Sequence, residues 1–311
     1  MKDRGDINIL CVGECMLELR SHGDDFVAGF AGDIINFSIY LKRLSPSTSV
    51  NFLSATGEDP ISERMRAFLS KEAINTQLVF TTPDKTVGLY MVHTDDTGER
   101  TFSYWRSDSA ARQMFYLADE ALLYQSARAI NYLYFSGITL AILDQAGRDR
   151  LISLAQLLHS EGISIIFDPN FRPSLWQSLE QARIQTARAY EVCNILLSSH
   201  DDEQILFGDS DIKSIMQRLM PFAIDEIVIT DGPDEIYSVC QGEQFTTLPA
   251  KPTAVVDTTS AGDSFNAAYI VARHKGYSAR DSVARAAALS AVVVAHSGAI
   301  IPEELTEPLV Q

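Results

Sequence analysis

The chain reads as an α/β protein: a three-layer α/β/α domain with a mostly parallel sheet and a small β lid. Two observations carry that expectation. From residue 118 onward helical and strand-like segments alternate, and the strands are short, continuous apolar runs such as Tyr132-Leu-Tyr-Phe-Ser136. That pattern marks a parallel sheet covered on both faces. Between residues 86 and 106 the rhythm breaks into two alternating runs with no helix after them, which predicts a hairpin outside the main layers. No internal repeat, low-complexity tract or Pro/Ser-rich linker interrupts the 311 residues. The whole chain, 1–311, is therefore expected to be one domain, with lid segments near 15–31 and 86–107.

Taken in order, 8–12 is a buried strand running into Gly13-Glu14, and 15–19 alternates as a second strand. A glycine-punctuated stretch, 26–33, leads into a helix over 34–44 with Ile35 and Ile39 near one face. Asp33 stands at its entrance and Asn36 one turn in. Residues 52–57 read as a strand end and turn, and 63–72 as a helix. The hairpin runs over 87–94 and 100–106 around a turn at 95–98; its alternation puts Tyr104 and Arg106 on one face. Helices then fall at 118–126, 144–160, 179–190 and 211–220. The strands between them are 132–136, 163–167, 195–198 and 226–230, with a turn at Gly137. Turns at 231–235 and at Gln241-Gly242 flank the strand 236–240, which suggests a small antiparallel edge. The end is helical, at 261–274 and 279–296.

Composition bounds the function. The chain is 46% apolar and 21% charged, with 25 basic against 41 acidic residues and a formal charge of −16. That charge opposes non-specific binding to nucleic acid and anionic membranes. An anionic substrate would need local basic residues. The four cysteines lack metal-type pairing, and a reducing, cytoplasmic setting fits them. The polar N-terminus is not expected to be a signal peptide. The longest apolar run, 286–295, is too short to span a bilayer.

The chemistry centres on Asp257-Thr-Thr-Ser-Ala-Gly-Asp-Ser-Phe265. A small-residue turn there opens a helix whose face carries Phe265, Ala268, Tyr269 and Ala272. Free N–H groups and the positive end of the dipole make such a turn an anion site. A carboxylate in it, Asp263, suits taking a proton from a hydroxyl while the amides hold a phosphoryl group in transfer. A second reading is that Asp263 only caps the helix, and Asp33 is open to the same reading.

Ligands of open α/β sheets gather beyond the C-terminal strand ends. Gly13-Glu14, Ser136-Gly137, Asp168–Arg172, Ser198–Glu203 and Thr230-Asp-Gly232 are thus expected to line one crevice with Asp263. Asp168 and Glu203 suit Mg²⁺ held through water, or else each caps the next helix. A P-loop, the protein-kinase motifs and a dinucleotide GxGxxG are all missing. The six histidines are scattered, and most read as surface or core residues.

The 257–265 string closely resembles the C-terminal signature of the ribokinase-like (PfkB) family of sugar kinases. Gly13–Leu19, Gly32-Asp33 with Asn36, Gly88-Leu-Tyr90, Asp96–Arg106, Tyr134–Ile138, Asp168–Pro173 and Gly298–Pro302 resemble the members that phosphorylate 2-keto-3-deoxy sugar acids. The likeness covers nearly the whole chain in order. It implies transfer from ATP to the terminal C6 hydroxyl of 2-keto-3-deoxy-D-gluconate, with Asp263 as base and the Ala261, Gly262 and Asp263 amides as anion hole. Tyr90, Tyr104, Arg106 and Arg172 would bind the carboxylate and keto end, and an arginine can do so bidentately. Gly32, Asp33 and Asn36 would bind the mid-chain hydroxyls. Ser198, Thr230, Gly232, Gly262 and Ala291 would lie near ATP. Mg²⁺ and a monovalent cation, at Asp257, Thr259 and the loop near Ser297, are implied cofactors; apart from the resemblance, an exposed hairpin flap can pair with another copy by its edge, so a homodimer through the lid is the expected assembly. The base need not have a raised pKa, since the hydroxyl proton becomes acidic late in a loose transition state.

Two departures stand out. Ala31-Gly32-Asp33 replaces the frequent Gly-Gly-Asp, and His200-Asp-Asp-Glu203 replaces Asn-x-x-Glu. The alternatives are a fructokinase-like or other sugar kinase of the family, which leaves two arginines unexplained, and a sugar-acid sensor without turnover. An intact Asp263 and Gly262 speak against the sensor.

Overall fold

A computed structural model describes residues 5–22, 25–94 and 100–306. The predicted turn at 95–98, and with it much of the Asp96–Arg106 stretch, lies outside them. Strand β1 (Asn8–Val12) shows why the sheet is buried on both sides. Ile9 and Cys11 enter one apolar core while Leu10 and Val12 enter the other, as the two-residue period of a strand requires. Strands β2 (Met16–His22) and β3 (Asp25–Ala31) leave this plane, and the glycine-punctuated stretch is itself a strand. Then come β4 (Ser49–Gly57), β5 (Val79–Thr82), and the hairpin β6 (Gly88–Thr94) and β7 (Arg100–Trp105). The second half supplies β8 (Tyr132–Ser136), β9 (Ser164–Asp168), β10 (Ile195–Ser199), β11 (Glu226–Thr230), β12 (Ile236–Cys240) and β13 (Glu243–Thr247).

These form a nine-stranded sheet in the order β13-β12-β11-β10-β9-β8-β1-β4-β5 and a four-stranded sheet, β3-β2-β6-β7. The large sheet is parallel from β5 to β11, with β12 and β13 as an antiparallel edge. One face is covered by the helices Asp33–Leu44, Ala261–His274 and Ala279–Val294. The other is covered by Gln145–Ser160, Leu179–Tyr190, Ile212–Leu219 and shorter helices. Phe37 stacks on Tyr134 with ring centroids 3.8 Å apart, fixing the Asp33–Leu44 helix to the sheet centre.

Two helices differ from expectation. Gly137–Ile142 and His200–Phe207 each begin where a polar turn was predicted, capped by Ser136 and Ser199. They have six and eight residues, too short to show a helical period in sequence.

Candidate active site

After β1 the chain moves to β4 on one side, and later to β8 on the other. The crevice beyond the β1 and β8 ends is thus a switch point of the sheet. Close approach shapes it. A Cβ on Gly137 would lie 1.9 Å from the Pro169 carbonyl oxygen, and one on Gly32 (φ +154) 2.6 Å from that of Glu14. Only glycine lets these turns meet.

Neither Asp263 nor Asp33 acts as a cap. The cap positions are Ser260 and Gly32, and neither makes a side-chain bond to its helix. Instead Asp263 Oδ2 accepts from Asn36 Nδ2 at 2.9 Å, and Asn36 Oδ1 accepts from Gly32 N at 3.3 Å. Asp33 Oδ2 accepts from Ser136 Oγ at 2.5 Å. Asp168 accepts from Asn266 Nδ2 and from Asn170 N, both at 2.9 Å.

Asp168 and Asp263 are buried and Asp33 is half-buried, and all three are pushed above the ordinary range. Burial is the first cause for each. The charge of Asp33 adds to it at Asp263, which rises to about 7; Asp202 and Asp263 add to it at Asp168. Arg172 opposes the rise at each of the three, and Arg106 opposes it at Asp33. The Tyr104 hydroxyl, also raised by burial, feels Arg106, Arg172 and Asp33. The fold thus brings Asp33, Asn36, Tyr104, Arg106, Arg172, Asp168 and Asp263 together.

Other residues sit differently from expectation. Arg106 is buried and donates from Nε to Glu14 Oε2 at 2.8 Å, so a fully buried glutamate already holds part of its guanidinium. Tyr90 turns its hydroxyl to Glu18, and its ring stacks on Tyr104 at 5.9 Å. Arg172 is half-exposed, 3.6 Å from Asp202, and is the freer arginine. Glu203 accepts from Arg218 Nη2 at 2.5 Å, Ser198 Oγ at 2.6 Å and the Tyr190 hydroxyl at 2.8 Å. A metal would compete there with an arginine, and Ser198 points at Glu203. The carboxylate of the His200–Phe207 helix that acts on Asp168 is that of Asp202. Glu14, Asn266 and Asp202 are the participants that sequence reasoning did not assign a role.

The Ala261 N–H is taken by Thr258 O at 3.2 Å, and the first helical bond is Ser264 N to Ser260 O. The Gly262 and Asp263 amides between them have no partner among the described residues. A Cβ on Gly262 would meet no protein atom within 4 Å, and Gly232 is similarly open, at φ +51. Thr230 Oγ1 bonds Ser198 O at 3.3 Å; Ala291 is half-buried on the last long helix, where Ser290 Oγ donates to Ala261 O at 3.1 Å. Asp257 ties its own turn to the 297–298 loop, accepting from Thr259 N at 2.9 Å and Gly298 N at 2.5 Å. His200 Nδ1 lies 3.4 Å from Asp231 Oδ1.

With an open amide turn, a buried carboxylate beside it and a polar crevice at the switch point, comparison with known proteins decides the family. A model of the pfkB family of carbohydrate kinases matches residues 6–306. The chain belongs to that family. The kinase is 39% identical over 302 residues to the 2-dehydro-3-deoxygluconokinase of Dickeya dadantii, covering 96% of this chain and 97% of that protein. It is 36% identical over 301 residues to the enzyme of that name from Escherichia coli, covering 95% and 97%. Its fold superposes on a fructokinase with bound ATP from Xylella fastidiosa with a TM-score of 0.83 at 19% identity, covering 97% and 98%. The ribokinase-like α/β fold of the family is thus present throughout.

Proposed function

We propose that the kinase transfers the γ-phosphoryl group of ATP to the C6 hydroxyl of 2-keto-3-deoxy-D-gluconate, giving the 6-phosphate. The relatives named 2-dehydro-3-deoxygluconokinase support the substrate. One observation in the site carries the reading. Asp33 faces the arginines and Tyr104, while Asn36, one turn along the same helix, bonds Asp263. A carboxylate-binding end and a base thus lie on successive turns of one helix, as a sugar acid with a distal hydroxyl requires.

Arg172, with Arg106 and Tyr104, binds the substrate carboxylate, and Asp33 and Asn36 take the mid-chain hydroxyls beside the backbone of Gly32. The Tyr90 ring supports Tyr104. The Asp263 carboxylate accepts the C6 hydroxyl proton, and the Gly262 and Asp263 amides hold the oxygens of the passing phosphoryl group. ATP approaches over Gly262, Thr230 and Gly232, with the Ala291 helix beside the base. Asp168, crowded by Asp202 and Asp263, fits Mg²⁺ through water, since a cation relieves that repulsion. Mg²⁺ supplies neutralisation of phosphate charge; Glu203 backs the site through Ser198. The bridge that Asp257 makes between two loops supports the monovalent cation there. The lid sheet is the flap over the sugar and the dimer contact. No helix among the described residues is long and apolar enough to cross a membrane, which accords with a cytoplasmic enzyme.

The test is a coupled ATP–ADP assay with Mg²⁺, comparing 2-keto-3-deoxygluconate with fructose, ribose and gluconate. Turnover with the keto-acid alone, lost in Asp263→Asn, is the expected result. Preference for fructose would retain the kinase and discard the carboxylate clamp. Keto-acid binding without turnover would identify a sensor.

A further inference from the structure

A cavity of about 470 Å³ lies away from the crevice, with none of the residues assigned above in its lining. It sits at the root of the lid. Strand β6 leaves the core just after Lys85, and β7 returns just before Asp108. The two legs are joined there by Lys85 Nζ to Asp108 Oδ1 at 2.5 Å and by Ala110 N to Thr86 O at 2.8 Å. Two groups in the lining are left partly unused by the fold. The Arg112 side chain is half-buried and makes no ion pair or hydrogen bond among the described residues, acting on Asp144 only through its charge. Ser109 is only 4% exposed, and its hydroxyl has no partner. A buried hydroxyl left unpaired is costly, so a ligand that satisfies it is favoured.

We propose that this cavity is a second ligand site, built for a small phosphorylated sugar or sugar acid. Its size falls in the range of metabolite pockets, about 300–1,000 Å³. Arg112 and Lys85 are the cations for a phosphoryl group, to which Arg112 can donate bidentately. Asp144, already bonded to the Tyr116 hydroxyl at 2.5 Å, has further lone pairs for sugar hydroxyls, and the exposed Tyr116 ring offers a face for the carbon skeleton. A neutral sugar would leave Arg112 unpaired, and a bare anion would face Asp108 and Asp144 with nothing to donate to them. Only a ligand with both a phosphate and hydroxyls uses the whole lining. A phosphoryl group at Lys85 also competes with Asp108, so occupancy loosens the clamp between the two legs of the lid.

The probe is 6-phosphogluconate, titrated into the full chain by calorimetry and by the fluorescence of Trp105, three residues from Asp108. Saturable binding is expected, weakened tenfold or more by Arg112→Gln and unchanged in Asp263→Asn. Asp108→Asn removes the competitor for Lys85 and should tighten binding several-fold, an effect that mere damage to the fold would not produce. If Arg112→Gln does not fold, Lys85→Met serves with the same expected loss. Equal affinity in Arg112→Gln and wild type, a loss in Asp263→Asn, or weakening by Asp108→Asn would each overturn the proposal. Inorganic phosphate binding as tightly as 6-phosphogluconate would overturn the sugar class.

Discussion

At the scale of one residue, the role proposed for Asp263 as base sets catalysis and stability against each other. Its carboxyl stands near 7 in the fold against an ordinary value of 3.8. Between those values the unfolded chain has lost a proton that the folded chain retains. Stability therefore falls as pH rises through that window and stays low above about 7. Asp263→Asn should melt higher than wild type at pH 8, by an equivalent of order a few kcal/mol, and the gap should shrink toward pH 5. Scanning calorimetry at the two pH values checks the sign; an equal gap at both would refute it. The same variant should lose roughly 10²–10⁴-fold in kcat, the usual effect of removing a general base. The wild-type kcat/KM should rise with pH through a midpoint near 7, because only the ionised form accepts a proton. Arg172→Ala should raise the keto-acid KM far more than that for ATP, and equal effects would count against the carboxylate assignment. Much of this site was legible because Asp263, Asp33 and Asn36 lie in short strings that state their own helix starts. Their partners were not. Asn36 and Asp263 are 227 residues apart, Asn266 and Asp168 98, and Glu14 and Arg106 92, distances over which no local pattern carries information.

Among the elements, two helix entrances contain glycine for opposite reasons. At Gly32 the backbone is at φ +154 and a Cβ would press on Glu14 O at 2.6 Å, so the protein itself demands glycine. Gly32→Ala should destabilise the fold by about 1–3 kcal/mol and, through Glu14 and Arg106, raise the keto-acid KM. At Gly262 no described atom lies within 4 Å of a Cβ, and on the proposed reading the space belongs to the phosphoryl group that approaches the turn. Gly262→Ala should leave the melting temperature unchanged or slightly higher, since alanine favours a helix, while raising the ATP KM and lowering kcat. Chemical denaturation run beside initial rates separates the two variants, and a Gly262→Ala protein with normal kinetics would remove the phosphoryl from that turn. Element reading from sequence succeeded where helical segments were long, as in Leu179–Tyr190 and Ala261–His274. It failed where an element was brief or its glycines hid a strand. In β3 Phe26, Val27 and Ala28 all stay exposed on the lid and only Phe30 and Ala31 turn inward, so no inside–outside alternation marks the strand.

Over the whole molecule, the lid is the part whose burial is unfinished. One side of the small sheet is anchored by Met16, Ala31, Tyr90 and Val92 against Ala299 of the main body. Its two edge strands, β3 and β7, have no outer neighbour among the described residues and carry Phe26, Val27, Phe102 and Trp105 exposed. An apolar edge of this kind is a template for another strand, and a two-fold pairing of lids covers one such edge in each copy. Dimerisation would also cover the open side of the crevice, since β7 runs directly into Arg106 and carries Tyr104. Replacing Phe26 and Trp105 together by lysine should therefore halve the mass seen by light scattering. It should also raise the keto-acid KM while leaving the ATP KM near its wild-type value, because ATP is proposed to enter from the Gly262 side. A wild-type protein that is monomeric at micromolar concentration would defeat the pairing. A monomeric variant with unchanged keto-acid KM would retain the dimer but deny it any part in closing the site.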